Sequence, residues 1–291
     1  MIFKDIIYML RPHQWSKNLL IFAPSFYGAV LFNNRIIFLD MLLAFLCFSL
    51  VSSSAYIIND LSDIEKDRQH PVKKLRPIAS GRIGPVVSVL ITVLCLASSF
   101  AISIHFGRDF ILVTALYLLM GIAYSLLLQY IAIIDAFAIA IGFVIRLLAG
   151  GYASHTPVSS WLLLTTFLLS VLLAFGKRKQ ELSMTGGSEP FRKVLKDYDE
   201  IFLDNGITVF STCALVTFLI YVVEIGRKEY LLSVPFACYG VMRYLQIVKT
   251  DKGAEPTEAF LKDKLLFFSV TIWIFVTGLI IYFRDIIHLI K

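Results

Sequence analysis

Along this chain the apolar residues run in unbroken stretches of about 20, separated by polar breaks. They show neither the alternation of a half-buried strand nor the single apolar stripe of a surface helix. Nine such stretches can be marked, at approximately 18–36, 38–58, 85–104, 109–128, 131–151, 158–176, 207–225, 230–248 and 266–284. Inside a bilayer every backbone N–H and C=O must find an internal partner, so only helices and closed barrels cross it. Barrel strands are short and alternate, and these stretches do neither. The pattern predicts an all-α integral membrane protein of nine transmembrane helices, forming one domain over residues 1–291.

Composition agrees and removes the soluble alternatives. The chain is 58% hydrophobic and 16% charged, where a soluble domain carries about 25% charge. Mean hydropathy is +0.77. The start, up to Trp15, holds Lys4, Asp5 and Arg11 and lacks the compact apolar core of a cleavable signal. Cys47, Cys95, Cys213 and Cys238 are scattered singly through apolar stretches, as packing residues are, without disulfide or metal spacing.

Net charge is +6, and its distribution matters more than its sum. If the connections alternate sides, 20 Lys and Arg fall on one side and 6 on the other, with Arg146 inside a span. Basic excess marks the cytoplasmic side, which places the N-terminus and the long connections 59–84, 177–206 and 249–265 there. The expected location is the cell (inner) membrane. Since topology accounts for the basic residues, nucleic acid is not an expected partner. The outer connections are only a few residues long, so the chemistry belongs on the cytoplasmic face.

That face carries one dense constellation. The second stretch runs out into Asn59-Asp60-Leu61-Ser62-Asp63-Ile64-Glu65-Lys66-Asp67. If the helix continues, Asp60, Asp63 and Asp67 share one stripe of one face. Three neighbouring carboxylates repel one another unless a cation joins them. Hard oxygen ligands at this density suit Mg²⁺, which binds through a few carboxylates plus substrate phosphates. A solvated acidic helix end is the bland alternative. Against it, the next segment, His70-Pro71-Val72-Lys73-Lys74-Leu75-Arg76-Pro77-Ile78-Ala79-Ser80-Gly81, supplies cations and a turn. Carboxylates for a metal beside cations for phosphate suit a diphosphate.

The run from Asn59 to Asp67, the Arg76-Pro77-Ile78-Ala79-Ser80-Gly81 segment and the nine stretches resemble the UbiA superfamily of intramembrane prenyltransferases. That resemblance implies a helical bundle with a Mg²⁺-diphosphate site built from two aspartate-rich loops. Here the second loop opens instead with Lys177-Arg178-Lys179-Gln180-Glu181-Leu182, and Asp197, Asp199 and Asp204 follow at looser spacing. The substitution of cations for acids is similar to the decaprenyl-phosphate phosphoribosyltransferase branch. So are Arg11-Pro12-His13-Gln14-Trp15-Ser16-Lys17-Asn18, Tyr124-Ser125, Asp135 and Gly142-Phe143-Val144-Ile145-Arg146.

The branch implies Mg-dependent transfer of a 5-phosphoribosyl group from phosphoribosyl diphosphate to a polyprenyl (decaprenyl-type) phosphate, in cell-envelope biosynthesis. Asp60, Asp63 and Asp67 are then the expected metal ligands, with Asp135 also catalytic. Lys17, Asn59, Arg76, Tyr124, Lys177, Arg178 and Glu181 are the expected substrate-binding residues. A lipid phosphate is already anionic, which fits the lack of any nucleophile–base triad. Within its span, Arg146 is expected either to act in function or to pair with Glu224. Whether the chain forms a homo-oligomer is left open. Two other readings stand beside this one: prenyl transfer from a diphosphate to an aromatic ring, which wants acids at 177–182, and transport of an anionic solute. The spans lack the paired Gly/Pro breaks of a transporter.

Overall fold

The computed structural model describes residues 2–70, 72–184, 193–250, 260 and 262–290. Pro71 and parts of two expected cytoplasmic connections, 185–192 and 251–259, lie outside the described residues. Every element among the described residues is a helix. In order they are α1 (Ile2–Leu10), a 3₁₀ segment (Pro12–Phe22), α2 (Ala23–Tyr27), α3 (Arg35–Ser62), α4 (Ile64–Gln69), α5 (Pro85–Phe106) and α6 (Arg108–Leu126). Then come α7 (Ile134–Ala153), α8 (Ser160–Ser183), α9 (Glu200–Glu224), α10 (Val234–Lys249) and α11 (Lys264–Ile290), with short 3₁₀ turns between some of them. Eight helices among the described residues are long and apolar enough to cross a membrane.

The first expected stretch, 18–36, is not one helix of spanning length. Pro12 opens the 3₁₀ segment and Pro24 sits at the start of α2, each removing a backbone donor. Asn34 then starts α3 by accepting the Ile36 N–H at 2.9 Å. The sixth stretch differs in the other direction. Hydropathy ends near residue 176, but α8 runs on to Ser183 because Lys, Arg, Gln and Glu are strong helix formers. Lys177 to Glu181 therefore stand on the last turns of a helix, not in a loop. Likewise α9 starts at Glu200, ahead of the expected 207, because Asp199 caps it by accepting the Phe202 N–H at 2.7 Å.

The helices gather into two compact units, residues 1–129 with 142–158, and residues 130–141 with 159–291. In the first unit α3 is central, packed against α1, the 3₁₀ segment, α5 and α6. Its buried residues include Ser49, Ser52, Ser53 and Ser54. The Ser53 hydroxyl accepts from the Trp15 indole at 3.0 Å and donates to the Leu10 carbonyl at 2.7 Å. Asn18 donates to the hydroxyls of Ser49 and Ser52 at 3.2 and 3.3 Å. These bonds strap the N-terminal segment to α3, those of Asn18 fully buried and those of Ser53 partly so. Around Phe48, the rings of Phe110 and Tyr117 lie 5.9 and 5.3 Å away. At one residue, Gly107, with φ 90°, the chain turns from α5 into α6, a backbone shape that glycine adopts without strain.

The second unit is built on α8 against α9, with α10 against α11. Val171, Leu172, Phe175, Leu203 and Ile207 form its core, and Phe175 meets the rings of Tyr198 and Phe210 edge-on at 6.2 and 5.5 Å. The described cysteines are all free thiols, as their spacing indicates.

A close backbone approach gives a test of the first unit. A Cβ at Gly150 would lie 2.0 Å from the Ile21 carbonyl oxygen, whereas one at Gly121 would sit 3.2 Å from the Ala55 methyl. Gly150→Ala should cost roughly 1–3 kcal/mol through overpacking, and Gly121→Ala clearly less. Thermal unfolding in detergent measures both, and equal melting temperatures for Gly150→Ala and the parent would refute the packing.

Candidate active site

In the first unit, α3 ends at Ser62, and Asp63, at φ −105° and ψ 16°, breaks the helix before α4 begins. The expected continuous stripe of three aspartates is therefore bent. Asp60 and Asp67 are both buried, at 3% exposure, and both reach the same atom, Arg76 Nη1, at 2.9 and 2.6 Å. Arg11 adds a second cation to Asp60 at 2.5 Å, and Lys73 stands 3.9 Å from Asp67. Asp63 bonds the exposed Lys66 at 2.9 Å.

The sequence positions these cations by folding the loop back. Ser80 donates to the Arg76 carbonyl at 2.7 Å, Arg68 to the Ala79 carbonyl at 3.2 Å, and Arg82 to the Leu75 carbonyl at 2.7 Å. Ile78 and Ile83 then bury beside Met9 and Ile57. Arg11 is held at φ 54°, an uncommon shape for a non-glycine residue, kept by the strap of the preceding Leu10 to Ser53. His70 accepts from the amides of Val72 and Lys73 through Nδ1, both at 3.2 Å. Burial first and the neighbouring Lys73 charge second push its pKa below the usual value, opposed by Asp67, with Arg76 adding the smallest push.

The second unit carries a different cluster. Arg178, 1% exposed, donates through Nε to Asp135 and through Nη1 to Glu181, both at 2.6 Å. Asp135 is fully buried, and its other oxygen accepts from the Tyr198 hydroxyl at 2.7 Å. That hydroxyl in turn accepts from the Ile133 N–H at 2.6 Å, and Ile133 is a β-branched residue held at φ 70°. Burial first, and the bond to Asp135 second, raise the Tyr198 pKa, so the phenol stays a donor. One residue on, the buried Lys179 pairs with Asp204 at 2.7 Å.

Of the expected residues, the structure thus joins Asp60, Asp67 and Arg76 in one unit, and Asp135, Arg178 and Glu181 in the other. Asp63 turns to Lys66. Lys17, Asn59, Tyr124 and Lys177 are half-buried. Arg178 is committed to carboxylates, which differs from a side chain presented to a phosphate. The buried Arg146 donates to Asn18, Tyr117 and the Gly142 carbonyl at 2.7, 2.6 and 2.9 Å, so its described partners are uncharged. Sequence reasoning did not pair Arg11, Lys73, Tyr198 or Lys179 with the carboxylates they hold. Arg11 carried a signal as the first residue of the Arg-Pro-His-Gln-Trp run, and Lys73 as a member of the basic segment after the aspartates.

The first cluster fits a hard divalent cation. Two buried carboxylates already converge on one positively charged atom, and Mg²⁺ needs only one or two carboxylates beside substrate phosphates. As they stand, no three acidic, His or Cys groups among the described residues are close enough to hold an ion.

Residues 21–275 match the UbiA prenyltransferase family. The chain belongs to that family. It is 31% identical to the decaprenyl-phosphate phosphoribosyltransferase of Mycolicibacterium smegmatis, across 96% of this chain and 92% of that one. It is 30% identical to the enzyme of the same name from Mycobacterium tuberculosis, across 96% and 94%. Among solved structures, a UbiA homolog from Archaeoglobus fulgidus bound to DMAPP and Mg²⁺ superposes with a TM-score of 0.75 at 17% identity, covering 94% of this chain and 97% of that one. This member of the UbiA family is thus a membrane transferase with the family's fold.

The His70 environment sets a pH dependence. A histidine whose folded pKa is lowered stabilises the fold fully above its unfolded value, and that contribution fades as pH falls through the folded value. The window therefore opens near 6.5 and extends downward. Below it, wild type should lose its melting-temperature advantage over His70→Gln. An advantage that grows on acidification would contradict the lowered pKa.

Proposed function

We propose that this UbiA-family enzyme transfers a 5-phosphoribosyl group from phosphoribosyl diphosphate to a polyprenyl phosphate, releasing diphosphate, with Mg²⁺ bound by the Asp60–Asp63–Asp67 motif. The observation that carries the reading is the basic, carboxylate-locked end of α8, where a second aspartate-rich loop would otherwise handle metal. The relatives named decaprenyl-phosphate phosphoribosyltransferase, matched over nearly the whole chain, support it.

In the reaction a lipid phosphate oxygen attacks the anomeric carbon while the bond from that carbon to the diphosphate breaks. The leaving diphosphate keeps the electron pair. Mg²⁺ would supply charge stabilisation for that leaving group. Arg76 and Arg11 neutralise further phosphate oxygens, and Lys17 and Asn59 complete the donor's contacts. Lys177 meets a phosphate of donor or acceptor. Arg178 acts differently from Lys177: with both carboxylates it fixes the end of α8, and Tyr198 fixes Asp135 in turn. No side chain has to remove a proton, because the acceptor is already an anion.

The assay is purified protein with Mg²⁺, labelled phosphoribosyl diphosphate and a panel of polyprenyl phosphates. Asp63→Asn and Asp67→Asn should each lose more than about 100-fold in kcat, roughly the loss of about 2.7 kcal/mol of transition-state stabilisation. Lys177→Ala should cost about ten- to a hundred-fold in kcat/KM, since it deletes one charge-assisted bond to the substrate of about 1.5–3 kcal/mol. Arg178→Ala should instead destabilise the protein by about 3–5 kcal/mol, because it leaves Asp135 buried without its cation. Consumption of a prenyl diphosphate with an aromatic acceptor, and none of phosphoribosyl diphosphate, would replace this reading by aromatic prenyl transfer.

Orientation is proposed as N-terminus cytoplasmic, from the basic-residue count. In a cysteine-free background, Met184→Cys, a position 74% exposed at the end of α8, should react with an impermeant reagent only after cells are opened. Labelling of intact cells would put the basic end of α8 outside and exclude a cytoplasmic donor site.

A further inference from the structure

We infer that Arg76, with Arg11 and Lys73, is an internal counter-ion that keeps divalent metal off the aspartate motif until a diphosphate arrives, so that metal and diphosphate bind with positive coupling. This rests on the reading of the motif as the metal-binding site.

Each carboxylate of the motif already has a cation drawn from the chain itself. Asp60 holds Arg11 and Arg76, Asp63 holds Lys66, and Asp67 holds Arg76 and Lys73. A metal arriving alone must evict the Arg76 guanidinium from two buried carboxylates. It then leaves that guanidinium without a partner beside a new double positive charge. A diphosphate removes both penalties, since its oxygens match the planar guanidinium fork and carry the charge to neutralise it. The count of charge-assisted bonds is conserved when both ligands enter, and falls when the metal enters alone.

The geometry suits an exchange confined to side chains. The backbone of Arg76 is anchored at both polar groups, its N–H to the Lys73 carbonyl at 2.9 Å and its carbonyl to the Ser80 hydroxyl at 2.7 Å. Its side chain is 21% exposed and that of Arg11 19%, against 4% for the aspartates they hold. Both cations therefore sit on the open side of the pair. By linkage, any tightening of metal by diphosphate is matched by an equal tightening of diphosphate by metal.

An unusual sign follows: removing a substrate-binding cation should improve metal binding. The experiment uses the full chain in detergent, Mn²⁺ as probe and inorganic diphosphate, with water-proton relaxation enhancement reporting protein-bound Mn²⁺. Wild type should bind Mn²⁺ weakly alone and about tenfold or more tightly with diphosphate. Arg76→Gln should bind Mn²⁺ alone about tenfold more tightly than wild type, the worth of one lost competing charge-assisted bond, and lose most of the tightening. Arg11→Gln, which leaves Arg76 in place, should shift the same way by less, and carries the test if Arg76→Gln does not fold. No gain in Mn²⁺ affinity in the folded variants, or wild-type binding indifferent to diphosphate, overturns the inference. Asp67→Asn tests the parent reading separately: it should abolish Mn²⁺ binding even with diphosphate, and retained binding would remove the motif as the metal site.

Discussion

Two carboxylates at the polar end of an apolar helix repel each other and lose hydration as the loop closes over them. Here the Arg76 guanidinium lies between Asp60 and Asp67, with one nitrogen bonded to both. The surrounding structure follows from that requirement. The helix must break at Asp63, so that Asp67 turns back toward Asp60. The chain from Lys73 to Ile83 must fold over them, which it does by bonding its own carbonyls and burying Ile78 and Ile83 against Met9 and Ile57. Arg11 must reach Asp60 from far along the chain, and the strap from Trp15 and Leu10 to Ser53 holds it there.

The second unit solves a similar problem to a different end. Arg178 also sits between two carboxylates, but it is 1% exposed and Asp135 is wholly buried. Tyr198 closes the remaining oxygen of Asp135, and the Ile133 amide closes the hydroxyl of Tyr198. Buried and hydrogen-bonded on every side described, such a pair has no route to exchange and resists the loss of either partner. Arg76 keeps a solvent-facing side and holds its carboxylates only until a better anion comes. One guanidinium is a fixed brace and the other a replaceable counter-ion. Burial, not residue type, distinguishes them.

The helices were legible because length and hydropathy are local properties, and a bilayer leaves few alternatives. The motif was legible because three aspartates in eight residues need a cation. What hydropathy cannot report is where a helix stops once it leaves the apolar zone, so α8 was read as ending at 176 when good helix formers carry it to Ser183. The spacing of Asp60, Asp63 and Asp67 assumed an unbroken helix, and the break at Asp63 lies in the backbone, not in the residue types. The 3₁₀ segment replaces a first helix because Pro12, Pro24 and Asn34 punctuate an otherwise apolar stretch. Partners such as Arg11 for Asp60 and Tyr198 for Asp135 are 49 and 63 residues apart, and no local pattern encodes them.

Arg146 shows how a charge placed deep in an apolar helix can serve a site it does not touch. A lone guanidinium there should call for a carboxylate, which is why pairing with Glu224 was one of the two expectations for it. Instead it spends its donors on Asn18, Tyr117 and the Gly142 carbonyl, and its charge lies 4.7 and 5.2 Å from the ring centres of Tyr117 and Phe143. Neutral acceptors and aromatic faces together solvate the guanidinium. Asn18 is then gripped from both sides, its oxygen by Arg146 and its nitrogen by Ser49 and Ser52. Asn18 belongs to the 3₁₀ segment that Arg11, the residue reaching Asp60, immediately precedes. Fixing Asn18 fixes the register of that segment against α3, and with it the distance Arg11 must span. The intramembrane charge thus holds, through Asn18, the segment that follows Arg11, and it needs no carboxylate of its own to do so.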